Sequence, residues 1–243
     1  MQAIILAAGM GKRLLPLTEK TPKGLIQVGE KTLTEYTVEK LLRLGINDIN
    51  IVTGHEAESF PLLLGQSFPD QKINYILNER FETTNNSYSI WLAREVMQDG
   101  FLLLNSDIIY DSYILEKILA AGESACLAID TVKKLGDEEM KVSMSDRRIT
   151  GISKQIPLTD ALGEYIGILK MNRQASSLFL KHLEESLLER QELNIYYEDV
   201  LHYMLPEYPV YAVDTDGRAW TEIDTLTDYD FAVNKVYPAV AGR

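Results

Sequence analysis

The chain opens with an apolar run, Met1 to Leu6, that stops at Ala7-Ala8-Gly9, the pattern of a buried strand feeding a tight turn. Thr32-Leu33-Thr34-Glu35 has the form of a capping box, and Tyr36, Leu41, Leu42 and Leu44 continue at helical spacing to Gly45. The pattern then predicts a strand over 48–53, a helix over 56–64, a strand over 72–77, a helix over 87–97 and a strand over 101–104. Asp111 caps a further helix to Ala121, and a strand follows over 125–129. Elements alternating at this length imply right-handed crossovers and a mostly parallel sheet covered on both faces. From about Asp137 the rhythm changes. Segments 141–144 and 148–152 read as antiparallel strands joined by Ser145-Asp146-Arg147, and 164–171 as a longer strand. Helices are predicted over 174–189 and 198–205, then a strand over 208–213 and a closing helix after Asp224. The pattern is that of one α/β unit over residues 1–243, with a small antiparallel β elaboration in its second half.

Composition narrows the partners. The chain is 46% hydrophobic with a formal charge of −12, which suits a well-buried core and argues against nucleic acid or an anionic membrane as partner. Its basic residues are uneven: Lys12, Arg13, Lys20 and Lys23 crowd the first segment against Glu19 alone, so an acidic protein begins with a locally basic loop. Cys126 is the only cysteine, which leaves no disulfide framework and no thiolate zinc site. The start lacks a signal-peptide pattern and no apolar run is long enough to span a bilayer, so a cytoplasmic protein is expected.

Three glycine-rich phosphate loops compete for Ala7-Ala8-Gly9-Met10-Gly11-Lys12-Arg13. A dinucleotide fingerprint needs a third glycine where Leu14 stands and a helix at once, whereas Pro16 and Pro22 keep the chain in a loop. A P-loop needs four residues between its first glycine and Gly-Lys-Ser/Thr, and they are absent. The segment resembles the third, the loop of the sugar-phosphate nucleotidyltransferases: Leu6, Ala7, Ala8, Gly9, Gly11, Arg13 and Leu14, followed by Pro22-Lys23. That resemblance implies a Rossmann-like sheet, a nucleotide-binding half over 1–135 and an acceptor-binding half over 136–243. It also implies that the glycine loop approaches a triphosphate, that Lys12 and Arg13 meet its β and γ phosphates, and that Lys23 meets the α-phosphate.

Nucleotidyl transfer of this kind needs Mg²⁺ on one or two protein carboxylates. Asp107 leaves the carboxyl end of the strand Phe101–Leu104, where open α/β sheets place ligands. Asn105 departs from the Asp-x-Asp version of the pattern, and Asp107 keeps the metal-ligand position. The Glu222-Ile223-Asp224-Thr225 segment matches a Glu-Ile-Asp of such enzymes and supplies Asp224 as the second ligand. Asp224 has another reading, as N-cap of the closing helix. Glu222 is expected to face away from it.

Thr84-Asn85-Asn86-Ser87-Tyr88-Ser89-Ile90 resembles a segment of bacterial phosphocholine and 2-aminoethylphosphonate cytidylyltransferases, and the Gln-Pro-x-Gly of uridylyl- and thymidylyltransferases is missing. By that resemblance Asn85, Asn86, Ser87 and Ser89, with Asn78, read the base and ribose of CTP. Asn85 and Asn86 are also candidate helix caps. Glu164, Tyr165, Tyr196, Tyr197, Glu198 and Asp199 place carboxylates beside aromatic rings, a combination suited to an ammonium group, or else to packing and a helix start. Lys141 and Lys154 are candidates for the acceptor phosphate or phosphonate, or surface lysines. The implied activity is a cytidylyltransferase that joins CMP to 2-aminoethylphosphonate, phosphocholine or a related amino compound, with a slight preference for a primary amine. Two other readings stand: a pyrophosphorylase acting on a sugar 1-phosphate, and a regulatory subunit without turnover.

Overall fold

The computed structural model describes residues Met1–Ala241. In chain order it contains β1 (Gln2–Ala7), β2 (Gln27–Val28), β3 (Lys31–Thr32), α1 (Leu33–Arg43), β4 (Ile49–Thr53), α2 (Ser59–Ser67), β5 (Ile73–Leu77), α3 (Asn86–Leu92) and β6 (Gly100–Asn105). There follow β7 (Ile108–Tyr110), α4 (Ser112–Ala120), β8 (Ala125–Asp130), β9 (Lys141–Ser145), β10 (Arg148–Ser153), β11 (Gly163–Asn172) and α5 (Arg173–Glu184). The chain ends through α6 (Tyr197–Met204), β12 (Tyr211–Asp214), β13 (Trp220–Glu222), α7 (Leu226–Phe231) and α8 (Tyr237–Val240).

A nine-stranded sheet has the order β5-β4-β1-β6-β11-β8-β12-β10-β9. Pairings set β5, β4, β1, β6, β8, β12 and β9 in one direction, with β11 and β10 against them. The predicted α/β fold with antiparallel additions is therefore present, and β11 sits at the centre, not the margin. Alternation along the strands explains the two-sided burial. Ile4, Phe101, Leu103, Leu127 and Ile129 point into one core. Ala3, Ile5, Leu102, Leu104, Cys126 and Ala128 point into the other.

Local signals account for most helix starts. Thr32 Oγ1 accepts from the Glu35 amide while Glu35 Oε2 accepts from the Thr32 amide, closing the capping box. Asp111 accepts from the Tyr113 amide at the start of α4. Other boundaries moved for identifiable reasons. The helix predicted from 56 begins at Ser59, because Glu56 has a left-handed φ of 48°. The strand predicted from 208 begins at Tyr211, since Pro209 has no N–H for a ladder. The helix predicted over 174–189 leaves α geometry at Glu185 for a π turn.

One unforeseen element positions the site. β7 and β13 form a separate antiparallel pair in which Ile108 faces Glu222, and the Ile223 amide donates to the Asp107 carbonyl at 2.9 Å. This pair brings Asp107 and Asp224 together from the two halves of the chain.

Candidate active site

The loop after β1 turns on Gly11, whose φ is 62°. A Cβ there would lie 3.0 Å from Thr18 Cγ2 and 3.1 Å from Lys23 Cβ, so glycine both permits the turn and lets Lys23 pass close behind it. Lys12 and Arg13 follow on a single 3₁₀ turn, both exposed. Pro22 then starts a second short turn that carries Lys23 inward.

Lys23 Nζ bridges the two carboxylates named from the sequence, at 2.6 Å from Asp107 Oδ2 and 2.5 Å from Asp224 Oδ1. Arg13 Nη2 holds the other oxygen of Asp224 at 2.7 Å. Burial opposes the Lys23 charge, but Asp107, then Asp224 and Glu222, outweigh it and push its pKa up. Burial likewise opposes the charge of Asp224, and Lys23 and Arg13 hold its pKa below the usual carboxylate range. The alternative reading of Asp224 as a helix cap fails: Thr225 is the N-cap of α7 and shares a capping box with Asp228.

Glu222 is a correction. Glu222 ends β13 and Asp224 lies two residues further on, and Ile223 between them is the residue that turns away, fully buried in a third core cluster. Oxygens of Asp107, Glu222 and Asp224 lie within 4.8 Å of one another. Burial, then the charges of Asp107 and Asp224, push the Glu222 pKa up to about 8. Asp107 Oδ1 is buried without a hydrogen-bond partner among the described residues. Three crowded carboxylates, one spare oxygen and a lysine lying across two of them form a donor set that fits a hard divalent cation.

Two cavities meet at this cluster. One, of about 190 Å³, is lined by Leu6, Ala8, Gly9, Lys23, Asn78, Asn85, Asn86 and Ser89 among others. Phe81, Thr84, Asn105 and Ser106 also reach it, and the sequence had singled out none of them for this role. Ala7 belongs instead to the core, and Gly11 shapes the loop from behind. Ser87 is corrected too: it is fully buried and its hydroxyl donates to the Ile195 carbonyl. Asn85 does cap α3, accepting from the Asn86 amide. Asn78 is buried, donating to Ser89 Oγ at 3.0 Å and accepting from the Arg80 amide.

The second cavity, of about 250 Å³, is lined by Arg13, Lys154, Glu164, Tyr165, Tyr196 and Glu198 together with Asp107, Glu222 and Asp224. Gly167, with φ of 84°, forms part of its floor, and a Cβ there would strike Asn105 Nδ2 at 2.7 Å. Asn86, Asn105 and Asp107 line both cavities. Two substrate-side expectations fail. Lys141 is buried and turns its ammonium to the carbonyls of Gly136, Asp137 and Glu139. Tyr197 is fully buried beneath the cavity, its hydroxyl 2.8 Å from that of Tyr165 and 3.4 Å from Asn105 Oδ1. Asp199 caps α6 by accepting from the Tyr196 amide.

Two carboxylates in this cavity differ in their partners. Glu164 is paired with Lys133 at 2.8 Å, a lysine with no sequence signal to mark it. Glu198 is buried with no cation at ion-pair distance among the described residues, and burial pushes its pKa up to about 7. Lys154 stands 5.6 Å over the Tyr196 ring.

The chain is similar to known proteins over nearly its whole length. The chain is 26% identical to choline-phosphate cytidylyltransferase of Streptococcus pneumoniae over 230 residues, covering 94% of this chain and 95% of that protein. It is 27% identical to CTP:phosphoglutamine cytidylyltransferase of Campylobacter jejuni over 258 aligned positions, covering 97% and 100%. The structure of CTP:phosphocholine cytidylyltransferase from Streptococcus pneumoniae matches with a TM-score of 0.79 at 25% identity, over 96% of this chain and 97% of that one. The model of the nucleotidyl transferase family matches residues 2–138, more than half of the chain, and the protein belongs to that family.

Proposed function

We propose that the protein transfers CMP from CTP to a small phosphorylated or phosphonylated amino compound and releases pyrophosphate. The observation that carries this reading is the Lys23 bridge between Asp107 and Asp224, placed where the two cavities meet. CTP occupies the cavity beside Gly9, and the acceptor the one beside Glu198. An acceptor oxygen attacks the α-phosphorus, a new P–O bond forms, and the bond to the β-phosphate oxygen breaks. No covalent protein intermediate is required, so positioning and charge stabilisation supply the catalysis. Lys23 leaves its carboxylates for the α-phosphate, where negative charge grows in the transition state. Arg13 steadies the outer phosphates.

Asp107 and Asp224, with Glu222 beside them, are the residues that would hold Mg²⁺. When bound, the ion supplies charge neutralisation at the phosphates. That all four residues of the catalytic set lie together supports an active enzyme over a regulatory subunit. Names of the similar proteins support CTP as donor and an acceptor of the phosphocholine or phosphoglutamine kind. Within that class a primary ammonium is favoured: the accessible aromatic face, Tyr196, is already covered by Lys154, whereas Glu198 has a carboxylate to offer.

Pyrophosphate release tests the reading. Each of the four ribonucleoside triphosphates is supplied with Mg²⁺ and, in turn, 2-aminoethylphosphonate, phosphoethanolamine, phosphocholine and glucose 1-phosphate. CTP with an aminated acceptor should dominate; equal turnover of UTP with glucose 1-phosphate would refute it.

A further inference from the structure

The Asn85-Asn86-Ser87 segment has the look of a base reader, yet its polar groups are engaged elsewhere. The Asn85 amide N–H donates to the Leu193 carbonyl at 3.0 Å, and its Nδ2 to the Asn194 carbonyl at 3.2 Å. Ser87 Oγ donates to the Ile195 carbonyl at 2.8 Å. Asn86 uses both ends of its amide: Oδ1 accepts from the Tyr197 N–H at 2.9 Å, and Nδ2 donates to Glu198 Oε2 at 3.4 Å. Three consecutive residues thus strap the start of α3 to residues 193–198, the segment that carries the acceptor-side carboxylate.

Glu198 gives this strap its chemical meaning. It is 5% exposed and lines the acceptor cavity. A buried carboxylate with no cation is costly to ionise, and an arriving ammonium removes that cost. How well it does so depends on where Oε2 is held, and Asn86 Nδ2 is a neutral donor that can orient the carboxylate without cancelling its charge.

We propose that Asn86 is a positioning residue for the acceptor, acting through Glu198, and that the Asn85–Ser87 segment governs acceptor choice rather than nucleotide choice. The inference rests on the amino acceptor proposed above. It differs from the sequence reading in placing the energetic effect of this segment on the second substrate.

The full-length protein is compared with Asn86→Ala, Ser87→Ala, Glu198→Gln and the double variant Asn86→Ala/Glu198→Gln. CTP affinity is measured by calorimetry without acceptor. Pyrophosphate release is measured with 2-aminoethylphosphonate and with propylphosphonate, which has a methyl in place of the ammonium. Asn86→Ala should raise the acceptor KM about tenfold and cut the preference for the aminated acceptor by a similar factor, with CTP affinity changed by less than about twofold. In the Glu198→Gln background the same substitution should add less than about twofold, since the two residues act as one unit.

Weakened CTP binding with an unchanged acceptor KM overturns the inference, as does full additivity in the double variant. Should Asn86→Ala melt during purification, Ser87→Ala cuts a neighbouring strap and should show the same acceptor-sided split at smaller size. A purely CTP-sided defect in Ser87→Ala also refutes it. Failure of the wild-type protein to use any aminated acceptor sinks the proposed function and this inference with it. Wild-type turnover combined with a CTP-sided defect in the variants sinks only this inference.

Discussion

Replacing Lys23 with methionine keeps most of the stem and deletes the charge that bridges Asp107 and Asp224. The Lys23 side chain is 11% exposed, against 20% for Asp107 and 28% for Asp224. Removing one partner of a buried ion pair costs about 3–5 kcal/mol, and the partial exposure of both acids places this case near the lower figure. In a protein of this size about 3 kcal/mol lowers Tm by roughly 6–12 °C. A lysine lying on an open loop would shift it by no more than about half a kcal/mol. The variant also vacates the position of a cation among three carboxylates, so Mg²⁺ should restore its Tm more than it raises that of the wild type. Differential scanning fluorimetry in EDTA and in Mg²⁺ measures both effects, and single-turnover kinetics should show kcat lower by about a hundredfold or more. A variant that melts with the wild type in EDTA, or gains no more than the wild type from Mg²⁺, would show that Lys23 is not a stand-in for the metal.

Asp107→Asn and Asp224→Asn should each lower kcat far more than they weaken CTP binding, and normal turnover at saturating Mg²⁺ would remove that residue from the ligand set. Gly11→Ala places a Cβ 3.1 Å from Lys23 Cβ at a φ of 62°, so it should cost about 1–2 kcal/mol and lower kcat as well; a fully active, equally stable variant contradicts this. Burial pushes the Glu198 pKa in the folded protein up to about 7, from an ordinary carboxyl value of about 4.5. Its stabilising contribution is therefore complete below about pH 4.5 and lost as pH rises through about 7. Glu198→Gln should remove that slope, so its Tm should gain on the wild type between pH 5 and pH 8; parallel Tm curves would refute the assignment. The acceptor KM of the wild type should fall over the same interval as the carboxylate ionises, and Glu198→Gln should lose this dependence.

Periodicity made the layered fold legible because β1, β6 and β8 are buried on both faces over most of their length and read as largely apolar runs. The glycine loop, Lys23, Asp107 and Asp224 were legible because each stands at the end of such a run or in a dense motif. Glu222 was misplaced by a wrong assignment of faces. The β7–β13 pair escaped because three-residue strands have too little alternation to read and their partners are more than a hundred positions apart. Lys141 and Tyr197 were misjudged for another reason: a residue type that suits a ligand also suits burial, and only packing reveals that Lys141 secures a loop. The strap from Asn86 to Glu198 spans 112 positions, beyond any local pattern.

The central place of β11 has a consequence for substrate length. β6 ends beside Asp107, and β11, hydrogen-bonded along its flank, carries Glu164 and Gly167 into the acceptor cavity. The end of β6 and the acceptor-side wall on β11 thus belong to neighbouring strands of one sheet, spaced about 4.8 Å apart. In the proposed reaction this sheet would set the span from reacting phosphorus to acceptor cation. An acceptor one methylene too short or too long would be offset from that spacing, so chain length should be discriminated through kcat.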